Sequence, residues 1–250
     1  MRTRRPPPPL QLVTVADVVR VNPRLVRIVF TGDLAHYEGV APAASLRLLV
    51  GGPGEPHLPE WNGNEYLLTD GTRPPIRTLT PLRPTGRTLE VEIVDHGRGA
   101  VSSWAADAAA PGQWAALSGP GRGYEVPDAP DFLIAGDESA VPAIGQLLES
   151  LPPRAQTSVH VEAAEPAARV ALARDAEWHF GASTPGEAIV DAARSAAIGP
   201  STRVWVAGEA AAVQRVRRHL FEERGIARPM TWVRGYWKHG RAGDADDEVV

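Results

Sequence analysis

The chain has 250 residues, enough for one large domain or two small ones. With 43% hydrophobic and 22% charged residues it can bury a substantial core, and a net charge of −4 argues against a general nucleic-acid binder. It contains no cysteine, which excludes disulfides, thiolate-ligated zinc, Cys-ligated iron–sulfur clusters and CxxC redox pairs, so any redox chemistry needs a borrowed cofactor. No apolar run reaches the ~18 residues of a membrane span. The opening MRTRRPPPPLQL lacks the apolar stretch of a secretion signal. The expectation is a cytoplasmic protein with no membrane partner.

Residues 1–10 are Pro-rich and basic and read as a flexible arm. Partial alternation predicts strands over 12–21, 25–30, 45–50, 76–80 and 88–94, with a long Gly- and Pro-rich loop over 51–73. Short strands at this spacing predict an antiparallel β-barrel over 11–127. The pattern changes near residue 130. Strands over 132–135, 157–163, 169–173, 203–207 and 230–237 alternate with helices over 140–151, 187–197 and 210–224. That alternation predicts a doubly wound parallel α/β domain over 131–239. Residues 240–250 form an acidic, solvated tail.

Several strings, in order, carry a resemblance. They are Pro75-Ile-Arg77-Thr-Leu-Thr-Pro81, Asp95-His-Gly97-Arg-Gly99-Ala-Val-Ser102-Ser-Trp104, and Gly119-Pro-Gly121. Then come Ala135-Gly-Asp-Glu138-Ser-Ala-Val-Pro142-Ala-Ile, Val206-Ala-Gly208-Glu209 and Gly235-Tyr-Trp237-Lys238-His-Gly240. Taken together they resemble the siderophore-interacting proteins, the flavin-dependent ferric-siderophore reductases of the ferredoxin-reductase superfamily. The resemblance implies a barrel that binds FAD, an α/β domain that binds NAD(P)H, and reduction of a ferric siderophore to release Fe(II).

The FAD residues it implies are Arg77, Thr78, Leu79, Thr80, Asp95, His96, Gly97, Gly99, Val101, Ser102, Ser103, Tyr236 and Trp237. An arginine on a barrel strand suits a pyrophosphate, and a Gly-rich turn before a helix lets backbone N–H groups approach phosphate. Leu79 stands where the family has a tyrosine, giving an apolar face without π-stacking or a hydroxyl. By themselves these strings also read as a barrel strand with surface arginines and a Ser-capped helix.

For NAD(P)H the implied residues are Gly136, Asp137, Glu138, Ser139, Glu162, Gly208 and Glu209, at carboxyl ends of the parallel strands. No GxGxxG is present, and two acids at a helix start suit ribose or amide hydrogen bonds better than phosphate. Glu162 favours NADH by bonding a ribose 2′-OH, whereas Arg169 and Arg174 favour a 2′-phosphate. Both remain open, and helix capping explains Asp137 and Ser139 equally well.

For the anionic ferric chelate the implied residues are Lys238, Arg234 and Arg241. Of 26 basic residues Lys238 is the only lysine, which points to a need for a compact ammonium there. The seven histidines show no HxxxH-type spacing, so no protein-bound metal is expected. The expected partner is an iron chelate, with no nucleic acid and a monomeric chain. Two other readings stay open: a general flavin or quinone reductase, and a siderophore-binding iron carrier that has lost flavin.

Overall fold

The computed structural model describes residues 7–52 and 54–240. The chain forms two units, Met1–Val40 with Ala44–Gly123, and Ala41–Ala43 with Tyr124–Val250. Residues 41–43 join the second unit because Pro42 accepts a hydrogen bond from the Tyr124 backbone and Ala43 donates one to the Gln146 side chain. No linear signal marks that excursion. The arm's first six residues and the tail from Arg241 onward lie outside the described residues.

The first unit is built on β1 (Gln11–Asn22), β2 (Leu25–Thr31), β3 (Leu46–Val50), β6 (Ile76–Leu79), β7 (Thr88–Val94) and β8 (Trp114–Ser118). Its sheet runs β6-β3-β8-β1-β2-β7, with antiparallel pairing throughout. The two outer strands meet. Leu82, just after β6, exchanges backbone hydrogen bonds with Glu90 of β7 at 2.7 and 2.9 Å. That bridge closes the sheet into a barrel and leaves no long free edge.

Alternation makes the interior. Val26, Ile28 and Phe30 of β2 and Leu89, Val91 and Ile93 of β7 point inward, and their neighbours point out. A short helix, α1 (Ala100–Ser103), continues into a π turn over Trp104–Ala108 and lays Val101, Trp104 and Ala105 on the same core. The expected long loop over 51–73 carries a small hairpin, β4 (Glu60–Trp61) and β5 (Tyr66–Leu67). The sequence gives no sign of β8. Trp-Ala-Ala-Leu-Ser has weak strand preference, and its pairing with β1 and β3 makes it a strand.

The second unit holds β9 (Asp131–Asp137), β10 (Gln156–Ala163), β11 (Glu177–Phe180), β12 (Arg203–Glu209) and β13 (Thr231–Trp237), all parallel, in the order β11-β10-β9-β12-β13. Helix α2 (Val141–Ser150) packs on one face over Phe132, Ile134 and Trp205. Helices α3 (Glu187–Ser195) and α4 (Ala210–Arg218) pack on the other over Leu133, Val204 and Val206. Adjacent residues of β9 and β12 thus enter different cores, which is why those strands read as continuous apolar runs.

One expected strand is corrected. Residues 169–173 form none, and β11 takes the edge instead. Val170 and Leu172 do alternate, but they tuck against the α2 core without joining a ladder.

Candidate functional site

The parallel sheet reverses its winding between β9 and β12, and open α/β sheets take ligands beyond the carboxyl ends of the strands at such a point. Gly136-Asp137 ends β9 and Gly208-Glu209 ends β12. Asp137 is 6% exposed. Its Oδ1 accepts from the Ser139 backbone at 2.9 Å and the Ser139 hydroxyl at 2.5 Å. Its Oδ2 accepts from the Glu209 backbone at 2.9 Å and from Trp237 Nε1 at 2.7 Å. One carboxylate therefore ties the ends of β9, β12 and β13 together. Burial pushes its pKa up to about 6, while the Ser139 and Trp237 bonds pull it the other way.

The neighbouring acids are similarly engaged. Glu209, 2% exposed, accepts from the Ala212 backbone at 2.9 Å, capping α4, and from the His239 backbone at 3.2 Å. Glu162, buried at the end of β10, accepts from the Gly186 and Ala188 backbones at 2.6 and 2.8 Å and holds the start of α3. Glu138 accepts from the Ala164 backbone at 3.1 Å. Gly208 sits at φ +151°, and a Cβ there would lie 2.5 Å from Asp137 Oδ2. The fold thus brings the predicted NAD(P)H residues to one sheet edge, with their carboxylates bonded to the scaffold.

The two arginines weighed for a 2′-phosphate separate. Arg174 donates to the carbonyls of Leu151, Pro152 and Ala155, closing the loop after α2. Arg169 is exposed and lies over the Phe180 ring at 5.2 Å. At the end of β13, Tyr236 meets Trp205 and Trp232 edge-on, and Arg234 lies 5.6 Å over Trp232. Lys238 is exposed. Arg241 lies outside the described residues.

In the barrel, the two flavin strings flank the closing seam, where β6 and β7 touch. Arg77 is half-buried on β6 and spends one Nη on the Ile76 carbonyl at 2.7 Å. Thr78 is also half-buried, Leu79 rests against the barrel core, and Thr80 is buried. After β7, Asp95 pairs with Arg20 at 3.1 Å and accepts from the Gly97 backbone at 3.2 Å. Ser102 does not cap the helix. Its hydroxyl accepts the His96 backbone N–H at 3.2 Å and pins the turn, and Gly99 takes the cap position. Ser103 is exposed on the same short helix. Gly97 and Gly99 have φ of +70° and +77°, and a Cβ at either would meet nothing within 4 Å. The turn is therefore a left-handed bend bordered by open space.

The fold also assembles a group the histidine spacing concealed. His160 of β10 lies opposite Glu177 of β11, and His179 stands two residues further along the same strand face. The His160 Nδ1 to His179 Nε2 distance is 3.2 Å.

Residues 14–124 match the family model for a siderophore-interacting FAD-binding domain, and residues 129–240 match that for a siderophore-interacting protein. The chain belongs to the siderophore-interacting protein family. A family relative, the ferric vibriobactin reductase ViuB of Vibrio cholerae, is 27% identical over 93% of this chain and 92% of its own. The NADPH-dependent ferric-chelate reductase of Escherichia coli is 28% identical over 85% of this chain and 87% of its own. Among solved structures, a siderophore utilization protein from T. fusca aligns with a TM-score of 0.80 at 29% identity, covering 96% of this chain and 97% of that one. The family match spans both units and takes in the strings that the sequence singles out.

Proposed function

We propose that this protein reduces a ferric siderophore with electrons from NAD(P)H through FAD and thereby releases Fe(II). The observation that carries the reading is that both halves of the chain match family models, while one flavin string lies on β6 and the other follows β7, the two strands that touch at the barrel seam. Relatives named as ferric reductases support it.

The barrel residues fit FAD. Arg77 keeps guanidinium donors beyond the one spent on Ile76, and the 97–99 bend leaves room for phosphate where a Cβ would meet nothing. Arg77 and the turn from Asp95 to Ser103 would hold the pyrophosphate, and Thr80 the ring edge. Leu79 offers the ring an apolar face, and Val101 packs beneath the turn in the barrel core. FAD, when bound, exchanges a two-electron hydride for the single electrons that ferric iron accepts.

In the second unit, the edge formed by residues 136–139 and 208–209 would receive NAD(P)H. Its backbone is what meets the nucleotide. Asp137, Glu209 and Glu162 are positioning residues that hold the strand ends and helix starts in register. Tyr236 and Trp237 would cover the flavin, and Lys238 with Arg234 and Arg241 would attract an anionic chelate. Hard oxygen donors hold Fe(III) far more tightly than Fe(II), so reduction frees the metal and spares the chelator. We assign the reaction to the cytoplasm and to a single copy of the chain. Among the described residues no helix is long and apolar enough to cross a membrane.

The test is to purify the protein, record flavin absorbance, then supply FAD, NADH or NADPH and a ferric siderophore while trapping Fe(II) with a chromogenic chelator. Fe(II) formation above a protein-free flavin control is the expected result. Equal activity on free flavin would favour a general flavin reductase. A colourless protein that binds siderophore but neither FAD nor NAD(P)H would favour the carrier reading.

A further inference from the structure

We infer that His160, Glu177 and His179 form a binding site for a divalent transition-metal cation on the β10–β11 edge, separate from the proposed flavin chemistry. Their ligand atoms all lie within 4.8 Å of one another. His160 Nδ1 is 3.2 Å from His179 Nε2, and the Glu177 carboxylate lies 3.6 Å from the first and 3.9 Å from the second. Metal–nitrogen bonds of ~2.0–2.1 Å separate adjacent ligands of a tetrahedral ion by about 3.3–3.4 Å. The imidazole pair already stands at nearly that spacing. The Glu177 carboxylate places Oε2 toward His160 and Oε1 toward His179, and its side chain, 67% exposed on the edge strand, can swing one oxygen closer to both.

The register explains the convergence. Parallel pairing sets His160 against Glu177, and the two-residue period of β11 returns His179 to the same face. A further contact orients the first ligand. The Ser158 hydroxyl lies 2.9 Å from His160 Nε2 and can accept its proton, which turns an unprotonated Nδ1 toward the cluster. Metal-bound histidines are regularly held by such a partner on the other ring nitrogen. The imidazoles are only 16% and 29% exposed, so the pair is held by its surroundings and still reachable.

The cluster borders a pocket of about 390 Å³ whose far wall is α3, with Asp191 and Ser195 facing it. That space admits water to complete the coordination shell, and Asp191 adds negative charge near an entering cation. Two imidazoles and one carboxylate select a borderline ion such as Zn(II), Fe(II) or Ni(II) over Mg(II) or Ca(II), which favour all-oxygen sites. Both rings bind as neutral imidazoles: His160 keeps its proton on Nε2, and the His179 proton moves from Nε2 to Nδ1 as the metal enters.

The experiment uses the full-length, untagged chain stripped with a chelator, titrated with Zn(II) in competition with a chromogenic chelator. Binding of one Zn(II) per chain is expected, unaffected by an excess of Mg(II). Outer-shell partners are worth about 10–100-fold in affinity, so Ser158→Ala should weaken binding by that much, and His160→Gln or His179→Gln by on the order of 100-fold or more. Zn(II) should raise the melting temperature of the wild type and leave the His160→Gln/His179→Gln variant unchanged. Equal Zn(II) affinity in wild type and that variant would overturn the proposal. If the double variant does not fold, Glu177→Gln decides: at least a tenfold loss supports the site, and no loss removes it.

Discussion

Asp137 buries a titratable group at the centre of the proposed nucleotide edge, and its environment makes a pH-dependent prediction. The folded group holds its proton to about pH 6, against an ordinary aspartate value of 3.8. The native state therefore binds the extra proton between those values. The stabilisation this provides is complete below the lower value and is lost as pH rises through the upper one. Asp137→Asn keeps an acceptor but turns an amide N–H₂ toward N–H donors, so it should destabilise at every pH. It cannot titrate, so its deficit relative to wild type should shrink between pH 4 and pH 7, by on the order of 3 kcal/mol. Denaturant midpoints measured across that range check it, and a constant deficit would show that Asp137 does not titrate there. At Leu79 the expectation concerns flavin. Leu79→Tyr restores a π face worth about 0.5–1.5 kcal/mol, so FAD should bind roughly 2–10-fold more tightly in a fluorescence titration.

At the scale of elements, side chains from the ends of strands hold the starts of helices. Glu162 on β10 secures α3, and Glu209 on β12 secures α4. Such carboxylates complement the unpaired N–H groups and the positive dipole of a helix start. Glu162→Ala should cost about 1–3 kcal/mol of unfolding free energy, because it strips acceptors from two buried-side donors. Hydrogen exchange at the first turn of α3 should accelerate, while β2 and β7 of the barrel remain protected. Gly208→Ala forces a Cβ to within 2.5 Å of Asp137 Oδ2 and should cost more than about 1 kcal/mol. The three-strand staple cannot move aside without breaking its other bonds.

At the scale of the whole molecule, charge is the informative quantity. The chain carries a net charge of −4, yet Arg234 and Lys238 place positive charge at the end of β13. On the proposed function an anionic chelate would meet local attraction against overall repulsion, and salt would screen the local term within ~10 Å at 0.1 M ionic strength. Raising ionic strength should therefore raise KM for a ferric siderophore with little change in kcat. Lys238→Ala should raise KM several-fold at low salt and flatten its salt dependence. Parallel salt dependence in mutant and wild type would remove Lys238 from the binding surface.

The linear pattern by itself determined the positions of most strands and helices, the change from an antiparallel to a parallel sheet, and the family strings, because strand and helix periods and turn residues act over a few neighbours. Barrel closure between Leu82 and Glu90, the strand state of Trp114–Ser118, and the choice of β11 over residues 169–173 were decided by pairing across the fold. The same holds for the acids. Their place at a strand end was readable, but whether each would face a ligand or a backbone N–H depended on which strands became neighbours. His160, Glu177 and His179 are the sharpest case, since side chains 19 residues apart meet only when two parallel strands lie in register, and no spacing along the chain encodes that contact.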